Sequence, residues 1–213
     1  QNYDWHLIFR AISPLVLISI GAGLTIPFVN LFFNSIFNLS SSDFSLLGSF
    51  TALLVFIFSL LVPTLRKKYG YWATIVLNQS LAIVFLIIMA TTELYAASSY
   101  AIIIAISAYI LRQPLMHMAH PASNELMMNY VGKKNQELIS ALSSSLWSAS
   151  WFISAKIFEW LRILEFQYFE IFLITAALYI MGVVLFGFLI GQYEKNSRKS
   201  NQILPIADEL SID

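Results

Sequence analysis

The sequence predicts an all-α, polytopic membrane protein with six transmembrane helices, and three observations carry that expectation. Six apolar stretches fill most of the 213 residues, each near the roughly 20 helical residues needed to cross a hydrocarbon core of about 30 Å. The chain is 58% hydrophobic and 11% charged, with a mean hydropathy of +0.73, where soluble domains carry about 25% charged residues. Most Lys and Arg fall in the gaps on one side of those stretches. A six-helix transmembrane bundle over residues 1–193 and a polar cytoplasmic tail over 194–213 follow, with no room for a large soluble domain.

The first helix is expected over 7–37; Gly21, Gly23, Pro27, Asn30 and Asn34 make its second half irregular. A Ser-rich turn separates it from a second helix over 44–65, and Arg66, Lys67, Lys68, Tyr69 and Gly70 read as a tight basic turn. A third helix follows over 71–91. The fourth, over 96–120, carries Arg112, Pro114, His117 and His120, with Pro121 and a polar stretch beyond it. The fifth, over 137–160, is strongly Ser-rich, and the sixth spans 168–192 with Thr175 as its one central aliphatic hydroxyl.

Short loops that hold Lys and Arg stay cytoplasmic. Arg10, Arg66, Lys67, Lys68, Lys133, Lys134, Lys195, Arg198 and Lys199 lie on one side against Lys156 and Arg162 near the other, so both termini are expected in the cytoplasm. Aromatic residues at the boundaries, Trp5, Tyr71, Trp72, Tyr95, Trp160 and Tyr168 among them, fit the headgroup belt. The 12 basic and 12 acidic side chains cancel, and with no basic face no nucleic-acid partner is expected. The absence of cysteine removes disulfides, thiolate metal sites and Cys nucleophiles. The chain starts at Gln1 and its first span lacks a signal-peptide cleavage site, so it reads as a cut or processed piece.

The helices differ in a pattern of three. Helices one and four carry Pro and polar groups, two and five are rich in small hydroxyl residues, and three and six are the greasiest. An inverted 3+3 repeat leaves this trace, its first helices lining a pathway and its third helices facing lipid. A bundle in which some helices are simply more central leaves it too.

Ionisable groups deep in a span are functional candidates, because unpaired polar groups cost several kcal/mol in lipid. Arg112 either faces a cavity in an anion-binding or gating role or snorkels to the near interface. Lys156, Glu159 and Arg162 stack on one helix face as an ion-pair ladder or as interface anchors. His117, His120 and Glu125 lack the spacing of a metal site, and no H-E-x-x-H occurs, so neither metal nor cofactor is expected. No Asp or Glu lies in mid-span, which leaves no proton-relay carboxylate. Gly21, Gly23 and Pro27 allow close approach and a bend, so they are candidate hinges, as is Pro121. Ser140, Ser144 and Ser148 share one face with a parallel stripe of Trp147 and Trp151, either for tight helix packing or as a polar wall that stacks on a solute.

Residues 63–71, PTLRKKYGY, resemble the loop motif of the major facilitator superfamily, with Lys68 and Gly70 at matching places. Residues 21–33, GAGLTIPFVNLFF, resemble the first helix of the second half of prokaryotic members, and Arg112 through Pro121 and Glu125 to Leu142, Trp147 and Trp151 match across the fourth and fifth helices. Departures occur. Lys67 replaces an acidic residue and Tyr71 and Ala73 replace basic ones, which puts the motif's conformational latch in doubt; Gln136 replaces a basic residue. Ser150, Phe158 and Glu159 stand where glycines are common, a change expected to loosen helix packing.

The resemblance implies one half of a twelve-helix secondary transporter in a prokaryotic inner membrane. It would move a small solute by alternating access against a second six-helix half, on the same chain or another, with the site between the halves. Asn30, Asn34, Arg112, Trp147 and Trp151 are the expected pathway residues, and no catalytic residue is expected. The rival readings are a transport-inactive membrane module for interaction or assembly and an intramembrane hydrolase using His117, His120 or a serine.

Overall fold

The computed structural model describes residues 3–209, with side chains through residue 198, and among them every regular element is helical. Helix α1 (Trp5–Thr25) starts where the Asp4 carboxylate accepts the Leu7 N–H at 3.2 Å, satisfying one of the donors a helix start leaves unpaired. Pro27 has no N–H to give to the preceding turn, and the chain tightens into a 3₁₀ turn over Ile26–Phe28 before α2 (Val29–Phe37) resumes. Asn38 then turns left-handed, with φ at 54°. Asn34 donates through Nδ2 to the Leu39 carbonyl at 3.0 Å.

Helix α3 (Ser41–Ser59) is capped by Ser40, whose hydroxyl accepts the Asp43 N–H at 3.1 Å and donates to its carboxylate at 2.6 Å. Helix α4 (Val62–Tyr71) has Pro63 in its first turn, where a missing N–H does no harm. Arg66, Lys67 and Lys68 are therefore helical, and the turn sits at Gly70 alone, where φ is +75°, a conformation that strongly favours glycine. A π-helical stretch over Trp72–Leu77 leads into α5 (Asn78–Thr91) and a 3₁₀ turn over Thr92–Tyr95.

Helix α6 (Ala101–Val131) runs ten residues past Pro121, so that proline interrupts hydrogen bonding within a helix and does not end it. Helices α7 (Gln136–Ile163) and α8 (Tyr168–Glu209) complete the chain. Residues 194–209, read as a polar tail, continue α8; residues 210–213 lie outside the described residues.

Contacts between distant residues fix two opposite ends of the bundle. At one end the Asp4 N–H donates to Asn135 Oδ1 at 3.3 Å, Arg66 pairs with Glu125 at 2.6 Å, and Tyr71 meets Tyr193 edge to face. At the other, Tyr168 and Ser35 hydroxyls are 3.3 Å apart and the Phe169 N–H donates to Glu93. The chain therefore crosses between the ends six times, in α1–α2, α3–α4, α5, α6, α7 and α8. Five of these crossings are long and apolar enough to span a membrane: Trp5–Phe37, Ser41–Ser59, Val62–Tyr95, Ala101–Val131 and Tyr168–Arg198. Helix α7 has the length but not the apolarity, because seven serines and four charged side chains occupy its 28 residues.

Helix α1 packs mainly on α8 and α7, and α5 on α6 and α8. The stripe Ile8, Ala11, Ile12, Leu15, Ile18 and Ala22 on α1 is buried at the spacing of one helix face. Hydroxyl groups stitch these contacts: Thr25 donates to Thr175 at 2.9 Å, Ser150 to Ser19 at 3.1 Å, and Ser154 to the Ile20 carbonyl at 2.8 Å. Phe158 stacks on Phe28 with ring centroids 3.5 Å apart. The packing expected to loosen at Ser150 and Phe158 is thus close, since a small hydroxyl found a partner and a ring found a parallel ring.

The third and sixth helices, expected to face lipid, each leave one apolar stripe exposed: Leu81, Val84 and Ile88 on α5, and Ile180, Val184 and Phe188 on α8. Their opposite faces pack into the bundle, whereas Thr51 is the one buried residue of α3. Hydropathy cannot separate a face that meets lipid from one that meets protein, because both are apolar.

Candidate functional site

Seven side chains of α6, at 112, 113, 116, 117, 120, 123 and 124, recur at spacings of three and four and so lie on one face. They line a cavity of about 240 Å³ closed by Leu15, Ile18 and Ala22 of α1, Gln79 of α5, Trp147 of α7, and Tyr179 and Phe186 of α8. Arg112 forms the floor and is 1% exposed, while His117 and His120 are exposed at the mouth. The His120 ring stands edge-on to Trp147 at 5.7 Å and its Nδ1 lies 3.4 Å from Asn124 Nδ2.

The electrostatics of the floor are lopsided. The guanidinium donates from Nη2 to the Tyr179 hydroxyl at a long 3.4 Å, and its Nε has no partner. No Asp or Glu lines the cavity, and among the described residues the ion pairs are Arg66–Glu125 and Lys156–Glu159. Gln79 is buried as well, and its Oε1 is without a partner. A guanidinium stays charged at any physiological pH, so this is a fixed positive charge in a low-dielectric setting.

The length of α6 settles how Arg112 is placed. It is 19 residues from Val131, or about 28 Å along the axis at 1.5 Å per residue, and its head turns into the bundle against Tyr179. The snorkelling expectation depended on a helix ending near 120, and it does not hold.

A polar seam continues from the mouth. Leu15, His120, Asn124 and Trp147 also line an adjoining space of about 340 Å³ with Ser143, Ser144 and Ser148. Asn124, Ser143 and Ser144 reach a third, of about 70 Å³, with Ser140 and Met128. Ser144 and Ser148 donate to carbonyls one turn back in their own helix, so the α7 serines form a wall along this seam.

Of the sequence-predicted pathway residues, the cavity brings together Arg112 and Trp147. Trp151 is exposed one turn further along α7, its ring 6.5 Å from that of Trp147. Asn30 has a buried Oδ1 without a partner but lies outside the cavity, and Asn34 closes the end of α2. Gly21 faces Tyr179 and Gly23 faces Ser154, so both serve close approach; Pro27 sits in the break between α1 and α2, and Pro121 beside the mouth. Among the described residues no three His, Asp or Glu side chains group as metal ligands.

Lys68, expected as the motif's basic residue, lies over the Tyr69 ring at 5.1 Å. The neighbour that ties α4 to α6 is Arg66, which pairs with Glu125, donates to the Tyr71 hydroxyl at 2.7 Å and covers its ring at 4.6 Å. Asn129 donates to the same hydroxyl at 3.1 Å. Tyr71, read as a loss from the motif, is thus the hub of another linkage. Reversing the pair as Arg66→Glu with Glu125→Arg is expected to recover only part of the stability that each single change lowers by about 1 kcal/mol, the scale of a half-exposed pair. A carboxylate at position 66 cannot donate to Tyr71 or cover its ring as the guanidinium does; a double-mutant cycle measures the recovered part. Likewise, Lys156 pairs with Glu159 at 2.7 Å, but Arg162 leaves the expected ladder to bond the Phe166 carbonyl and cover the Tyr168 ring.

Gln79 and Tyr179 were missed because each sits in a helix whose apolarity suggested a lipid-facing role. The polar run Asn78, Gln79 and Ser80 in the third stretch was the available signal.

No protein-family model, curated protein or solved structure matches the chain.

Proposed function

We propose that this chain is one six-helix half of a secondary transporter of the major facilitator type, moving a small solute by alternating access across a prokaryotic inner membrane. The observation that carries the reading is Arg112, a charged side chain buried within an apolar helix and placed at the floor of a cavity with an open mouth. Retaining a buried charge without a carboxylate partner is unfavourable by several kcal/mol, and intramembrane ionisable groups mark ion and substrate routes.

Two further features support it. Leu46, Phe50, Leu53 and Phe56 of α3 and Trp151 and Phe152 of α7 are exposed, leaving apolar area for a second half to cover. The basic residues Arg66, Lys133 and Lys134 gather at the end where α1 starts and α6 finishes, which favours cytoplasmic termini.

The test uses a cysteine at Met116, a cavity-lining position in a chain that has none. In the full-length protein, cleared of any other cysteines and reconstituted in vesicles of both orientations, a small anionic thiosulfonate reagent that does not cross lipid is expected to label it from either face. Labelling from one face only, or from neither, is the result an assembly module gives and would sink the transport reading.

A further inference from the structure

We propose that the Arg112 cavity is a binding site for a compact organic monoanion, its carboxylate held by the guanidinium and its apolar body resting against Trp147. This rests on the transport reading only for what becomes of the ligand afterwards; the site itself stands on the following features.

Charge selects the head group. The floor holds one permanent positive charge and the lining has no acid to neutralise it. A monoanion makes the pair neutral, whereas a dianion would leave one uncompensated negative charge in the same low-dielectric space. The guanidinium has unmatched donors, Nε among them, and its planar fork suits a carboxylate. The exposed imidazoles of His117 and His120 at the mouth, with Asn124 beside them, offer hydrogen bonds along the approach.

Walls and size select the body. Leu15, Ile18, Ile26 and Met116 are apolar and Trp147 presents an indole ring, so the remainder of the ligand is apolar or aromatic. At about 240 Å³ the space beside the guanidinium falls below the roughly 300–1,000 Å³ of sites for drug-sized ligands, which favours a compact body there; a longer one would have to extend past the mouth into the adjoining space of about 340 Å³. The unmatched acceptor on Gln79 leaves a place for one hydroxyl or amino substituent.

Benzoate is the probe, with benzyl alcohol as the uncharged ring and sulfate as the dianion without one. Titration calorimetry on the full-length protein in phosphatidylcholine nanodiscs is expected to show saturable benzoate binding, about tenfold or more tighter than benzyl alcohol, the scale of a charge-assisted hydrogen bond. Arg112→Gln should remove that preference. Arg112→Lys should keep part of it, because the charge stays while the fork is lost. Trp147→Ala should weaken benzoate and benzyl alcohol alike and keep their ratio. Equal affinity for the two probes, unchanged benzoate binding in Arg112→Gln, or a preference for sulfate would each overturn the proposal. If Arg112→Gln fails to fold, Arg112→Lys and Trp147→Ala carry the decision. Benzoate binding with one-sided labelling at Met116→Cys would sink the transport reading and keep the site; two-sided labelling without benzoate binding would do the reverse.

Discussion

Replacing Arg112 by Gln is expected to raise the stability of the ligand-free protein even as it removes anion binding. The guanidinium is 1% exposed, has one long hydrogen bond to Tyr179, and meets no carboxylate among the described residues. The amide of Gln is two bonds shorter, but it keeps hydrogen-bonding capacity and removes a charge whose burial costs several kcal/mol. The void left by the shorter side chain offsets part of that, and the net gain expected is about 1–2 kcal/mol. Thermal unfolding of the full-length protein in nanodiscs, without added anions, measures it. A midpoint several degrees above that of the parent is the expected result, and Arg112→Lys should show no such gain because its ammonium is as costly to bury. A lowered midpoint in Arg112→Gln would mean that the charge is already compensated, for instance by a carboxylate from a covering segment. Residues kept for function at a cost in stability behave in this way.

Much of the fold was legible in the sequence because membrane helices follow from length and apolarity. The stretches, their number of crossings and the gathering of basic residues at one end could be read directly. Helix ends were less so. Pro121 suggested a stop and the Arg66–Lys68 run suggested a turn, yet Pro121 lies inside α6 and the basic run inside α4. A proline in one case and a run of charges in the other were used to place a backbone event that in fact falls on Gly132 and Gly70, where φ is +73° and +75°. Of the two readings of the α7 charges, the ladder holds only for Lys156 and Glu159, because Arg162 found the carbonyl of Phe166 in the following turn.

The candidate site was half legible. Arg112 and Trp147 announced themselves, since a charge or a ring at a helical register near polar neighbours is unusual in an apolar span. Which helices would surround them was not readable. Helix α5 was read as lipid-facing because it is greasy, yet it contributes Gln79, and α8 contributes Tyr179. In a bundle of apolar helices, composition ranks hydrophobicity but not neighbours; here the neighbours are set by small residues and hydroxyls along α1, α7 and α8. Ser19 with Ser150, and Thr25 with Thr175, are the pairs that fix them.

The tightest of these contacts gives the second large effect. A Cβ placed on Gly23 would lie 2.6 Å from both Cβ and Oγ of Ser154 and 3.1 Å from the Ser150 carbonyl. Gly23→Ala therefore cannot be absorbed by a side-chain rotation alone, and α1 must move from α7. That shift strains the Ser154 bond to Ile20 and the Ser150 bond to Ser19, each worth about 1 kcal/mol, on top of the roughly 1–3 kcal/mol of overpacking. The expected result is a lowered unfolding midpoint, partly restored by adding Ser154→Gly, which removes the two nearest atoms but not the Ser150 carbonyl. Gly48→Ala is the contrast, since nothing lies within 4 Å of its Cβ; within α3 it should stabilise by about 0.5–1 kcal/mol. A Gly23→Ala protein as stable as the parent would show that α1 and α7 already stand apart in the membrane. The same contact bears on the transport reading, because Ala22 and Trp147, which line the cavity, are carried on these two helices: a separation forced at Gly23 should widen the Arg112 site and weaken benzoate without altering its preference over benzyl alcohol.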